Sequence, residues 1–194
     1  MSGKPRIVCF AGSLRKDSHN KKLVKVAMAG AEKAGAEVTF VDLKDFPMPI
    51  YDGDIESADG LPENAKKLKA IFKAHQGFLI ASPEYNSSFS AALKNAIDWT
   101  SRPEPGEKSL ECFAGKVAGI MAASPGALGG LRGLVTLRSM LENIQMMVIP
   151  NQVALSQSHE SFDESGAIKD AKKHASVQLI GERLAEVAAK LFAE

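Results

Sequence analysis

The stretch Gly77-Phe78-Leu79-Ile80-Ala81-Ser82-Pro83-Glu84-Tyr85-Asn86 decides how this chain folds. Its first five residues carry no polar side chain, as expected of a strand buried on both faces, and Ser82-Pro83 then breaks the run. A few residues on, Leu93-Lys94-Asn95-Ala96-Ile97-Asp98-Trp99 reads as an amphipathic helix. In an open parallel sheet, the loop at a strand's carboxyl end faces the ligand crevice. Here that loop presents an aromatic ring, a carboxylate and an amide, with Ser87 and Ser88 placed to cap the next helix. Such groups suit a planar ligand with polar edges better than a metal or a peptide.

Outward from this stretch, apolar runs alternate with segments of helical period. Strands are expected at Arg6–Ala11, 37–43, 116–123 and 146–150, and helices at 20–35, 62–75, 89–101, 130–143 and 169–193. Residues 46–59, rich in Pro, Gly and Asp, read as a loop. Apolar strands crossed over by helices imply a doubly wound α/β sandwich. Five strands favour the flavodoxin-like order 2-1-3-4-5, with the crevice between the first and third. No repeat or low-complexity tract interrupts the pattern, so 1–194 reads as one domain.

Composition excludes several classes. The 194 residues are 45% hydrophobic and 24% charged, with a net charge of +1 and both signs interspersed, which leaves no footprint for nucleic acid or an anionic membrane. No stretch is long enough to span a bilayer, and the first apolar run begins too early for a leader peptide. Cys9 and Cys112 have neither metal nor redox spacing, and Cys9 reads as a small buried hydrophobe. A reduced, cytoplasmic protein without a metal site is expected.

In the inferred topology three loops share the crevice. After the first strand, Gly12-Ser13-Leu14-Arg15-Lys16-Asp17-Ser18-His19-Asn20 supplies hydroxyls at Ser13 and Ser18, the Asn20 amide and the Arg15 guanidinium, just before a helix start. A helix N-terminus with free N–H groups and a positive dipole end suits a phosphate. Capping alone accounts for Ser18 or Asn20, but not for Ser13 and Arg15 as well. Lys21, Lys22 and Lys25 open that helix with no acid after Asp17 until Glu32, a mismatch with the dipole that a bound dianion offsets. After the third strand, Tyr85 is placed to pack on a ring system and Asn86 to meet its pyrimidine edge, which points to a flavin. A boundary aromatic at Tyr85 and a solvated Glu84 are the plainer alternatives. After the fourth strand, Ser124-Pro125-Gly126-Ala127-Leu128-Gly129-Gly130 permits close approach of backbone to a ligand, or only a turn, with Ser124 within reach of the ring.

Those segments, with Leu93 to Arg102 and Phe162-Asp163, resemble the NADPH-dependent FMN reductases, and among them the bacterial chromate/quinone reductase branch, close to the azoreductases of this fold. The resemblance runs nearly end to end. It implies FMN as cofactor and NADPH or NADH as co-substrate. Ser13, Arg15, Ser18 and Asn20 would hold the phosphate, Pro83, Glu84, Tyr85 and Asn86 would line the isoalloxazine, and Ser124 would approach from the far side. It further implies small-molecule acceptors (quinones, azo compounds, oxyanions such as chromate) and a homodimer or homotetramer. With FMN bound the chemistry is the cofactor's, so ping-pong turnover without a catalytic side chain is expected. The chain departs from the branch at Ser90-Ala91, where Pro-Gly is common, and so loses a rigid residue near a helix start.

Independently, Leu131, Leu134, Val135, Leu137, Met140, Leu141 and Ile144 make one helix apolar over more than one stripe, as a subunit contact requires. Trp99 reads as a core or subunit contact, and Arg102 as either an anion attractant or a surface arginine. Two other readings differ in class: a reductase that releases reduced FMN, and a flavodoxin-type carrier, against which the +1 charge argues. A receiver domain lacks its acidic pair after the first strand.

Overall fold

The protein is described by a computed structural model covering residues 3–193. Seven strands, β1 (Arg6–Ala11), β2 (Glu37–Asp42), β3 (Gly77–Ala81), β4 (Glu84–Tyr85), β5 (Ser88–Phe89), β6 (Val117–Ala123) and β7 (Met147–Leu155), alternate with six α-helices. These are α1 (His19–Lys33), α2 (Gly53–Asp59), α3 (Glu63–Ala74), α4 (Ala91–Thr100), α5 (Leu131–Asn143) and α6 (Ala171–Leu191). The main sheet has the order β2-β1-β3-β6-β7 with every pair parallel, which is the expected doubly wound topology, while β4 and β5 form a separate hairpin.

Burial follows position in the sheet. Central β3 and β6 are buried at every residue, whereas edge strands β2 and β7 are partly exposed, so uniformly apolar strands occur only in the interior. One apolar layer joins α1 and α6 to one face, through Leu23, Val24, Val177 and Leu184. The other face is filled by Phe10, Phe72, Phe78 and Phe113 with Leu93, Leu134 and Leu137. Cys9 lies fully buried within β1, and burial pushes its thiol well above the usual range, as suits a small hydrophobe.

Three local structures depart from the expectations. Residues 46–59 are not all loop: Asp52 accepts from the Asp54 N–H and starts α2, which buries no residue and therefore has no apolar period to read. Strand β7 runs past Pro150 to Leu155, with a register shift between Ala118 and Ile120 on its partner. An edge strand at an irregularity tolerates a residue without an N–H. The Arg138 guanidinium donates to the Val148 and Ile149 carbonyls at 3.1 and 3.0 Å there. Lastly, Ser87 and Ser88 do not cap α4. Asn86 (φ 51°) and Ser87 (φ 66°) form the tip of the β4–β5 hairpin, and Ser90 caps the helix by accepting from the Leu93 N–H at 3.2 Å.

Helices α1 and α6 meet backbone to backbone. A Cβ on Gly181 would lie 1.8 Å from the Ala27 carbonyl oxygen, and one on Gly30 would lie 2.1 Å from that of Gln178. Neither neighbour is a side chain that can swing aside. Gly181→Ala should therefore force the helices apart and destabilise the fold by about 3 kcal/mol. Urea unfolding checks this, and an unchanged midpoint would show that the crossing is loose.

Candidate functional site

The crevice is assembled where β1, β3, β6 and β7 release their chains at one edge of the sheet. The Gly12 N–H donates to Ala81 O, Ser82 N–H to Met121 O, and Ser124 N–H to Leu155 O, so parallel pairing continues into the loops and fixes their spacing. Asn20 adds a bridge across the site. Its Nδ2 donates to Ala123 O and its Oδ1 accepts from the Ala123 N–H, both at 2.9 Å and buried. Both ends of the amide are thereby engaged, and the start of α1 is tied to the end of β6.

Eight of the nine residues expected at the site line one cavity of about 240 Å³: Ser13, Arg15, Ser18, Asn20, Pro83, Glu84, Tyr85 and Ser124. The ninth, Asn86, lines an adjoining cavity of about 300 Å³ that shares Glu84 and Ser124 and is walled by residues 126–130. Ser13 and Ser18 are buried, and Arg15 and Tyr85 exposed. The Ser13 hydroxyl accepts from the Arg15 N–H at 3.4 Å, and the Ser18 hydroxyl from the Lys21 N–H at 3.4 Å, so Ser18 is also the cap of α1. No acid occupies the first turn of α1.

The lysines that open α1 have partners within the chain. Lys21 Nζ lies 2.5 Å from Asp42 Oδ2, while Lys22 and Lys25 sit over the rings of Phe162 and Phe40 at 5.7 and 4.8 Å. Their mismatch with the dipole is met inside the fold, and it carries no argument for a dianion. What remains is the donor set itself: two hydroxyls, a guanidinium and the helix N-terminus.

Glu84 is neither solvated nor free to meet a ring edge. One oxygen accepts from Arg132 Nε at 2.8 Å, the other from the Gly133 N–H at 3.0 Å, and the side chain is 8% exposed. It clamps the β4–β5 hairpin to the start of α5, whose own N-cap, Gly130, offers no side chain. Gly129 and Gly130 also serve packing rather than ligand approach: their Cβ atoms would strike the Ala154 backbone at 2.7 Å and the Ala122 side chain at 2.6 Å. Gly126 meets only the Ser124 hydroxyl, at 3.7 Å, and is the open position of that loop.

Ser90, where the resembling branch has proline, is buried; its hydroxyl donates to Gly12 O and its N–H donates to the Ser82 hydroxyl. A hydrogen-bonded tie between the first and third loops thus takes the place of a rigid ring. Trp99 is a core residue, fully buried, donating from Nε1 to Pro49 O at 2.8 Å. Arg102 pairs with Glu56 at 3.0 Å and lines neither cavity, so it is a surface arginine.

Two contributors were missed in the sequence. His19, the first residue of α1, lines the cavity beside Ser18, and its Nδ1 lies 2.7 Å from the hydroxyl of buried Ser158. Ser158 belongs to the segment after β7, which returns over α1 and brings Phe162 to 5.9 Å from the imidazole. Neither His19 nor Ser158 recurs in a spacing that marks it, and only the extension of β7 brings them together.

With this geometry in place, comparison with known proteins is decisive. Residues 5–160 match the family model described as NADPH-dependent FMN reductase. The chain belongs to this family. It is 34% identical over 170 residues to a probable NADPH:quinone oxidoreductase 2 of Oryza sativa subsp. japonica, covering 85% of this chain and 79% of the relative. With a quinone reductase of Escherichia coli K12 it shares 36% identity over 154 residues, covering 77% and 76% of the two chains. Among solved structures, the flavoenzyme NAD(P)H:(acceptor) oxidoreductase FerB from Paracoccus denitrificans superposes with a TM-score of 0.81 at 28% identity, covering 98% of this chain and all of the other.

The clamp at Glu84 has a pH signature. Burial works to raise its pKa, but the bonds from the Gly133 N–H and Arg132 outweigh burial and hold it below the ordinary 4.5. A carboxyl with a depressed folded pKa stabilises the fold above its unfolded value, and that contribution is lost as pH falls through the folded one. The stability gap between wild type and Glu84→Gln should thus be constant near neutrality and close below about pH 4.5. Denaturant titrations across acid pH check this; a gap that persists in acid would refute the ionic clamp.

Proposed function

We propose that the protein is an FMN-dependent NAD(P)H:acceptor oxidoreductase whose phosphate subsite is the start of α1. The observation that carries this reading is the convergence of Ser13, Arg15, Ser18 and the N-terminus of α1, without an acid in its first turn, on one wall of the crevice. That donor set fits the FMN phosphate: buried hydroxyls for its oxygens, and a guanidinium at the solvent side for its charge. Asn20 holds the subsite at the right distance from β6 by its bridge to Ala123. Pro83 and Tyr85 wall the ring end, Asn86 and Ser124 border it, and Glu84 holds the hairpin that carries them.

Held there, FMN would supply hydride and two-electron chemistry, with NADPH or NADH as the donor, quinones, azo compounds or oxyanions such as chromate as acceptors, and ping-pong turnover as the expected kinetics. The chain contributes position and electrostatics rather than a nucleophile or a general base. Leu131 and Val135 leave an apolar stripe on α5 that is 45% and 64% exposed, continuous with Leu128 at the crevice rim. That stripe supports a homo-oligomer, dimer or tetramer, with the crevice at its edge. Among the described residues no helix is long and apolar enough to cross a membrane.

Purified protein should be yellow and should oxidise NADPH or NADH when a quinone is added. Arg15→Ala, which removes one charge-assisted contact, should weaken FMN binding roughly 10- to 100-fold while leaving the fold intact. Equilibrium dialysis against FMN checks this, and an unchanged affinity would move the phosphate elsewhere.

A further inference from the structure

The residue that invites a further assignment is His19. It stands at the first position of α1, on the cavity wall shared with Ser13, Arg15 and Ser18, and it is half-buried. Nδ1 is tied to the Ser158 hydroxyl at 2.7 Å and Phe162 flanks the ring, while Nε2 makes no hydrogen bond among the described residues. Ser158 is itself 1% exposed, so the imidazole has a fixed anchor on one nitrogen and an uncommitted nitrogen on the other.

The anchor is a hydroxyl, and that matters. A hydroxyl donates to a neutral imidazole nitrogen and, after rotating, accepts from a protonated one. The scaffold thus accommodates either charge state of His19 without losing the bond. What opposes the charged state is the surroundings: partial burial first, then Lys22 on α1, Arg15 in the preceding loop and His159 in the segment after β7, all of which hold the pKa below 6.5. No anion is among these influences. A phosphate at the start of α1 would supply one and reverse the balance.

We propose that His19 takes up a proton as the FMN phosphate enters the start of α1, so that flavin retention tightens as pH falls toward 6.5 and loosens above it. The proposal rests on the phosphate assignment made above and adds to it a pH-linked ligand. The linkage runs one way: binding raises the pKa of His19, so the affinity gain is present at low pH and is lost as pH rises through the value in the complex. The second ionisation of the phosphate, near pH 6, acts in the opposite direction, because it favours binding at higher pH. A comparison with His19→Gln separates the two, since glutamine is polar and of similar length but cannot titrate.

The test uses the full-length protein freed of flavin, with FMN and riboflavin titrated by flavin fluorescence at pH 6.5 and 8.5, in wild type and in His19→Gln. Calorimetry in two buffers of different ionisation enthalpy counts the protons taken up. Wild type should bind FMN roughly fivefold or more tighter at the lower pH with net proton uptake, since each unit of pKa shift corresponds to a tenfold coupling. His19→Gln should bind FMN with neither effect, and riboflavin, which lacks the phosphate, should show neither in either protein. Equal pH slopes and equal proton counts in the two proteins would overturn the proposal for His19 while leaving the phosphate site standing. Failure of wild type to prefer FMN over riboflavin at any pH would instead remove the site itself. Should the variant not fold, NMR titration of the His19 ring in wild type decides: its pKa must rise on FMN addition, and a static or falling value overturns the assignment.

Discussion

Both ends of one buried amide, that of Asn20, are spent on the main chain of Ala123, and the geometry of the crevice depends on that bridge. A parallel sheet already delivers the ends of β1, β3 and β6 to one edge, but it does not fix how the first turn of α1 sits against the end of β6. The bridge does so, and it also satisfies the N–H and C=O of the last residue of β6, which is why it is costly to break. Ser90 makes the corresponding tie between the loop after β1 and the start of α4. The candidate phosphate wall is held rigid by buried polar bonds that a ligand does not need to form.

Those ties also explain the division of labour among residues that look alike in sequence. Asn20 and Glu84 each stand in a polar loop beside the crevice, yet both are committed to the fold, one to Ala123 and one to Gly133 and Arg132. Ser13, Ser18 and Arg15 keep donor capacity at the cavity. The cations of α1 divide in the same way: Lys21 is committed to Asp42, and the positive character of the cavity comes from the helix end, Arg15 and Lys22.

Much of this was legible in the chain. Gly77–Ala81 announces a doubly covered strand, the alternation with helices sets the sheet order, and the three loops name eight of the residues that line one cavity. What escaped has physical causes. The hairpin at Glu84–Phe89 turns on two non-glycine residues with positive φ, which no sequence preference signals strongly. Strand β7 extends beyond Pro150 only because it is an edge strand with a register shift, and helix α2 buries nothing that a period might reveal. His19 and Ser158 lie 139 residues apart and meet only through that extension.

The central claim is that an anionic group is gripped at the start of α1, and phosphorus NMR of FMN bound to the protein tests it most directly. A phosphate held by Ser13, Ser18, Arg15 and the helix end should resonate away from free FMN and should not titrate through pH 6, where the free phosphomonoester does. A bound-state signal that follows the free one across that range would place the phosphate in water and contradict the account.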